Sequence, residues 1–191
     1  MRYTHLQVRS GYSLMKSSIT IEKLVYQAKK LGFTSLALTD EQVMHGAISF
    51  YQLCKQVGIK PIIGMVVEVE SDNLVLLAKN NQGYTNLLKL SSYLQLNKNS
   101  IRDIQDVAEY LADLIVILPL STSYLNSMIH KDKYSQLISD INNWKTIIRN
   151  GEFFLGIQHE GMLEQNQLGL IKKICEKYHI AATAISDVRY L

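Results

Sequence analysis

Apolar positions along the chain switch repeatedly between strand and helix periods. Tyr3 to Val8 alternates and is rich in strand formers, which predicts a first strand. Ile21, Leu24, Val25, Ala28 and Leu31 then recur at helical spacing, with Gly32 placed to end the helix. Ser35 to Thr39 is a short apolar run that reads as a strand buried on both faces. Ala47, Phe50, Tyr51, Cys54 and Val57 make the face of a second helix, closed by Gly58. Lys60 to Ile63 predicts a third strand, and Val66 to Glu70 with Leu74 to Ala78 predict a hairpin around Ser71-Asp72-Asn73.

The second half repeats the alternation. Helical spacing covers Tyr84 to Leu90 and Ile104 to Leu111, followed by a strand over Leu114 to Leu118 that Pro119 stops. Further helices are expected around Tyr124 to Ile129 and Tyr134 to Ile148, then a strand over Phe153 to Ile157. A long amphipathic helix over Leu163 to Tyr178 precedes a last strand at Ala181 to Ile185. About seven strands alternating with helices imply an α/β fold with mainly parallel pairing. Val8-Arg-Ser-Gly-Tyr12 has one glycine and no phosphate-binding fingerprint, which favours a closed barrel over an open doubly wound sheet. Either architecture puts chemistry in the loops after the strands' carboxyl ends.

Composition adds boundaries only. At 191 residues with 47% hydrophobic, the chain suits one domain with a single sizeable core. No apolar run approaches the ~20 residues a membrane span needs, and the start lacks a signal peptide's apolar stretch. Cys54 and Cys175 lie far apart in apolar helical patterns and read as buried free thiols in a reducing cytoplasm. Net charge is 20 − 17 = +3, too little to argue for a nucleic-acid surface. Asp187-Val-Arg-Tyr-Leu191 follows directly on a strand, which points to a piece of a longer protein.

The strand-end loops offer few reactive groups. Gln7, Arg9 and Ser10 follow the first strand; Thr39, Asp40, Glu41 and His45 follow the second; Ser186, Asp187 and Arg189 follow the last. His5, His45, His130, His159 and His179 show neither H-x-H nor H-E-x-x-H spacing. His5 reads as a core or barrel-lining residue, and the last three as solvated or capping groups. Asp40-Glu41 reads equally as a general-base pair or, with Thr39, as the cap of the following helix.

Several stretches nevertheless resemble one family in order. Thr4-His-Leu-Gln-Val-Arg-Ser-Gly-Tyr-Ser-Leu14, Leu36-Ala-Leu-Thr-Asp40 with Met44-His-Gly-Ala47, and Gly58-Ile-Lys-Pro-Ile-Ile-Gly64 resemble successive motifs of PHP (polymerase and histidinol phosphatase) domains in bacterial DNA polymerase III alpha subunits. So do Leu76-Leu-Ala-Lys-Asn80 with Gly83-Tyr-Thr-Asn-Leu87, and Ala182 to Leu191. The resemblance implies a distorted (β/α)7 barrel, a single PHP domain over 1–191, and an amino-terminal fragment of a much longer polymerase.

Active members hold a metal cluster for phosphoester hydrolysis. Laid over this chain, their ligand positions fall on Gln7, Arg9, Lys16, Asp40, Glu41, Val66, Asn73, Asp187 and Arg189. Only Asp40 and Asp187 keep the family's residue. The resemblance with these replacements implies a degenerate, metal-free domain with no catalytic residues of its own and a structural or interaction role in DNA replication. Magnesium is expected for the parent polymerase, whose aspartates would lie beyond residue 191. Expected partners are the rest of that chain, other replisome subunits including a proofreading exonuclease, and DNA through the parent enzyme; no membrane is expected. Arg9 is expected to pair with Asp187 or Asp40, or else, with Lys16 and Arg189, to make the pocket positive and hold an anion beside Ser10 and Tyr12. The alternative is an active phosphoesterase or 3'-5' exonuclease using Asp40, Glu41, His45 and Asp187, and a further reading is a non-catalytic DNA-contacting module.

Overall fold

The computed structural model describes residues 3–69, 72–97, 104–120, 134–148, 152–158 and 165–190. Its elements run β1 (Gln7–Val8), α1 (Ile21–Lys30), β2 (Ser35–Glu41), α2 (Ala47–Val57), β3 (Lys60–Val69), β4 (Asp72–Ala78) and α3 (Asn81–Leu96). A 3-10 helix (Ile104–Tyr110) precedes β5 (Leu114–Pro119), α4 (Tyr134–Ile147), β6 (Glu152–Ile157), α5 (Gln165–Tyr178), β7 (Ala181–Ala184) and β8 (Asp187–Val188). The helix expected around Tyr124 to Ile129 lies outside the described residues, as do His130 and His159.

β2 through β7 form one six-stranded sheet in sequence order. Pairing is parallel except where β4 runs antiparallel to both β3 and β5. The expected third strand and the first arm of the hairpin are one ten-residue strand, β3, because the backbone stays extended through Gly64 and Met65. Asn73, expected in the turn, lies in β4 opposite Glu68. Helical spacing over Ile104 to Leu111 is realised as a 3-10 helix.

The outer strands of the sheet approach one another through a short seam. β8 follows β7 after two residues and pairs in parallel with β1, Gln7 opposite Asp187. β1 joins β2 without a continuous ladder: the Ala37 amide donates to the His5 carbonyl at 3.2 Å. The Thr39 hydroxyl stands in for a missing backbone partner. It accepts from the Val8 amide at 2.9 Å and donates to the Val8 carbonyl at 3.2 Å. The fold is thus α/β with a parallel-rich central sheet, an arrangement consistent with the expected distorted barrel.

Both faces of the sheet are filled. On the inner face Val66, Val75 and Ile117 stand in register, joined by Leu77 and Ile185, so the interior is a packed core and not a pore. Outside, α1 and α2 cover β2 with Leu24, Val25, Phe50 and Cys54, while α3 and its neighbours cover β3 to β6. Cys54 is fully buried, and burial pushes its thiol pKa up to about 11; Cys175, expected to be buried, is half-buried. Leu31 and Tyr51, expected on buried helix faces, are 64% and 48% exposed; Leu31 lies past the last turn of α1, as its C-cap.

Two of the motif stretches are explained by packing. A Cβ on Gly64 would lie 2.4 Å from the Leu76 carbonyl oxygen, and one on Gly83 would lie 2.2 Å from that of Asp113. Only glycine lets the backbones approach so closely. Asn80 completes the second joint: its side-chain oxygen caps α3 by accepting from the Gly83 amide at 3.0 Å, and its amide donates to Asp113 at 2.9 Å.

Candidate functional site

Parallel strands deliver the carboxyl ends of β1, β2, β3 and β8 to one end of the sheet. β2 finishes in Thr39-Asp40-Glu41, and β1 runs straight into Arg9 and Ser10. Asp187 on β8 lies opposite Gln7. Residues more than a hundred positions apart therefore meet here.

Asp40 is 2% exposed and accepts three hydrogen bonds. One carboxylate oxygen accepts from the Ser10 amide and the Ser13 hydroxyl, each at 2.7 Å, and the other from the Ser10 hydroxyl at 2.8 Å. Ser13 also accepts from the Glu41 amide at 3.0 Å. Both serine hydroxyls are thus oriented by the carboxylate they serve. The capping reading of Asp40 is corrected by this arrangement: Asp40 belongs to β2 and clamps the loop after β1. The N-cap of α2 is Gly46, which makes no side-chain cap.

Arg9 occupies the centre. Its guanidinium donates to Glu41 at 3.0 Å, and its Nε lies 3.4 Å from Asp187, an ion pair without hydrogen-bond alignment. The Arg9 side chain is only 3% exposed, against 19% for Glu41 and 12% for Asp187. Arg189 holds the other oxygen of Asp187, at 2.8 Å from Nε and 2.6 Å from a terminal nitrogen. That hydrogen bond raises the Arg189 pKa above its ordinary value. Lys16, half exposed, lies 3.6 Å from Glu41.

Three cations thus face three carboxylates, counting the buried Asp40. The expected positive anion pocket is corrected accordingly: Arg9, Lys16 and Arg189 are each committed to an acidic partner. The Ser10 hydroxyl is likewise given to Asp40, and the Tyr12 ring packs edge-on to His45.

The other expected positions fall as follows. Gln7 is buried, with its side-chain oxygen unpartnered. Val66 is fully buried in the inner apolar cluster, opposite Glu41 in the ladder. Asn73 sits on β4, beyond the Val66–Val75 pair. His5 packs against Tyr3 and Phe33, and burial lowers its pKa. Among the described residues no group of three or more His, Cys, Asp and Glu is placed to hold a metal ion.

Ser13 and Ser17 are the members that sequence reasoning left without a role. The Ser17 hydroxyl lies within hydrogen-bond reach of the carbonyls of Arg9 (3.0 Å) and Arg189 (2.9 Å), tying the loop to the end of the chain. The one available signal was their closeness to Ser10 in a serine-rich loop. A cleft of about 1020 Å³ opens elsewhere, toward the opposite end of the sheet. Tyr51, Pro61, Lys79, Tyr84, Glu152 and Phe154 are among its lining residues, and it shares none with the Arg9 cluster.

Comparison with known proteins gives one consistent picture. Residues 5–160 match the PHP domain. The whole chain is 39% identical to part of the DNA polymerase III subunit alpha of Bacillus subtilis, and 31% identical to that of Borreliella burgdorferi. It spans 18% of the length of each, less than a fifth of these relatives. Among solved structures, an amidohydrolase from Chromobacterium violaceum with bound sulfate and no metal superposes with a TM-score of 0.64 at 10% identity, over 97% of this chain and 87% of that one. A protein from Bifidobacterium adolescentis, assigned as a metal-dependent phosphoesterase, superposes with a TM-score of 0.59 at 12% identity, over 98% of this chain and 87% of that one.

Proposed function

The chain belongs to the PHP-domain family, and from that premise we propose that it is the PHP domain of a replicative DNA polymerase III alpha subunit, with the strand-end metal site converted into an internal ion-pair cluster. Its role is then structural or interactive within DNA replication. The observation that carries this reading is Arg9, a buried guanidinium between Glu41 and Asp187.

The donor set supports it. A guanidinium offers donors only and stays charged, so it cannot ligate a metal and repels one. Both oxygens of Asp40 already accept hydrogen bonds from the loop after β1, and Val66 brings no ligand atom to the position where the family places a glutamate. These residues do not fit a metal cluster, and no hydrolytic step is derived through one. Magnesium belongs, on this reading, to the polymerase active site beyond residue 191. The remaining polymerase chain, other replisome subunits such as a proofreading exonuclease, and a cytoplasmic setting complete the proposal. No helix among the described residues is long and apolar enough to cross a membrane.

The second reading, a phosphoesterase or exonuclease with altered ligands, draws on the buried oxygens of Gln7 and Asp187 that accept no hydrogen bond, although the Asp187 oxygen is ion-paired with Arg9. His45, which it requires, packs on Tyr12 instead. Plasma mass spectrometry on metal-loaded, dialysed protein separates the two. The proposal expects less than about a tenth of an equivalent of zinc, manganese or iron. One or more tightly held equivalents would overturn it.

A further inference from the structure

Only part of the sheet's inner face is filled. Residues two apart on a strand share a face, so Ile62 on β3, Leu77 on β4 and Ile115 on β5 point the same way as Val66, Val75 and Ile117. Phe154 on β6 stands opposite Ile117 in the ladder and joins them. Val66 and Val75 are fully buried, whereas Ile62, Ile115 and Phe154 are only partly so. The difference is the cleft of about 1020 Å³, which these three line where β3, β5 and β6 begin. Its size lies at the top of the range, about 300–1,000 Å³, that small-molecule sites occupy.

The lining specifies the chemistry of the occupant. Tyr51 of α2 and Tyr84 of α3 add aromatic rings to that of Phe154. Apolar walls disfavour a strongly hydrated ligand, and the rings favour a flat aromatic body that can stack or meet them edge-on. Charge on the lining is unequal. Lys79, just past β4, meets Glu152 at the start of β6 at 2.9 Å, a pair that spans β5 and neutralises itself. Lys60 opens β3, is exposed and lines the same cleft, yet it forms no ion pair among the described residues. One uncommitted cation therefore stands beside a mostly apolar cleft, which suits a ligand with a single acid group.

We propose that this cleft binds a small aromatic molecule carrying one acid group, its rings against Ile62, Ile115 and Phe154 and its acid toward Lys60. The inference rests on the fold and the lining residues, not on the polymerase reading. The site is separate from the Arg9 cluster, with which it shares no residue, so it can be filled whatever the strand-end loops hold.

The test titrates the full chain with anilinonaphthalene sulfonate, an aromatic monoanion, and with N-phenylnaphthylamine, the same ring system without the charge, following dye fluorescence. Both dyes are expected to bind saturably, at about one equivalent. Lys60→Gln should weaken the sulfonate about tenfold and leave the neutral dye unchanged, with no shift in the urea midpoint because Lys60 is exposed. Ile115→Trp, which fills the cleft, should abolish both. Absence of saturable binding, or equal sulfonate affinity in the native chain and Lys60→Gln, overturns the proposal. So does undiminished binding by Ile115→Trp with a native urea transition; should that variant fail to fold, the Lys60→Gln comparison decides alone. None of these outcomes touches the eroded-site reading, which the metal analysis decides separately.

Discussion

At the carboxyl ends of the parallel strands, Arg9, Glu41, Asp187 and Arg189 join β1, β2 and β8 by charge. At the opposite end, Asn80, Gly83 and Asp113 join the start of α3 to the approach to β5 by close packing and short hydrogen bonds. Both regions lie in stretches that resemble the PHP family; on the proposed reading the first departs from the family's ligand pattern and the second keeps its motif. The difference is one of tolerance. A metal ligand can be exchanged for a charged or apolar group as long as charge and volume are balanced locally. A backbone separation that excludes even a Cβ leaves no alternative side chain. On the proposed reading, motif retention at Asn80 and Gly83 reports folding, and motif loss at Gln7, Arg9 and Val66 reports chemistry.

The largest expected effect is at the packed joint. Gly83→Ala must push the Asp113 carbonyl aside and should lower unfolding free energy by about 4 kcal/mol. Urea denaturation measures this, and a loss below about 1 kcal/mol would show that the joint yields. At the charged end, Arg9→Met leaves Glu41 and Asp187 without their buried counter-ion and should cost about 3 kcal/mol. Adding Glu41→Gln and Asp187→Asn should recover most of that loss, because the penalty comes from uncompensated charge. Failure of the rescue would mean that Arg9 acts through packing instead.

The smallest effect is titration near the seam. His5 is neutral in the folded state at pH values where the unfolded chain, with the ordinary value of 6.5, is already taking up a proton. Its folded pKa lies below that of the unfolded chain, so the unfolded state binds more protons in this window. Stability should therefore decline as pH falls from about 6.5 toward the lowered folded value. Comparing the pH slope of the urea midpoint for the native chain and a His5→Phe variant checks this. Equal slopes would place the dependence on another group.

Much of the fold was legible. The helices over 21–30, 47–57 and 165–178 and the strands over 35–41, 114–119 and 152–157 follow periods that local sequence carries. The merging of two predicted strands into β3 was not legible, because Gly64 looks like a breaker until the carbonyl packed against it is seen. The 3-10 geometry at Ile104 to Tyr110 shares its apolar spacing with an α-helix and could not be told apart.

The candidate site divides along the same line. On the proposed reading, residue identity at the family's ligand positions, including three cations and a valine, was decided by sequence alone, and with it the donor set available to a metal. Sequence could not say that Asp40 serves Ser10 and Ser13, or that Arg9 spans Glu41 and Asp187. Those partners lie 30 and 27, then 32 and 178, positions away along the chain, and only the placement of β1 between β2 and β8 brings them together. Periodicity is a local property of the chain, whereas the pairing of charges depends on which strands become neighbours, and that is set by the core they bury together.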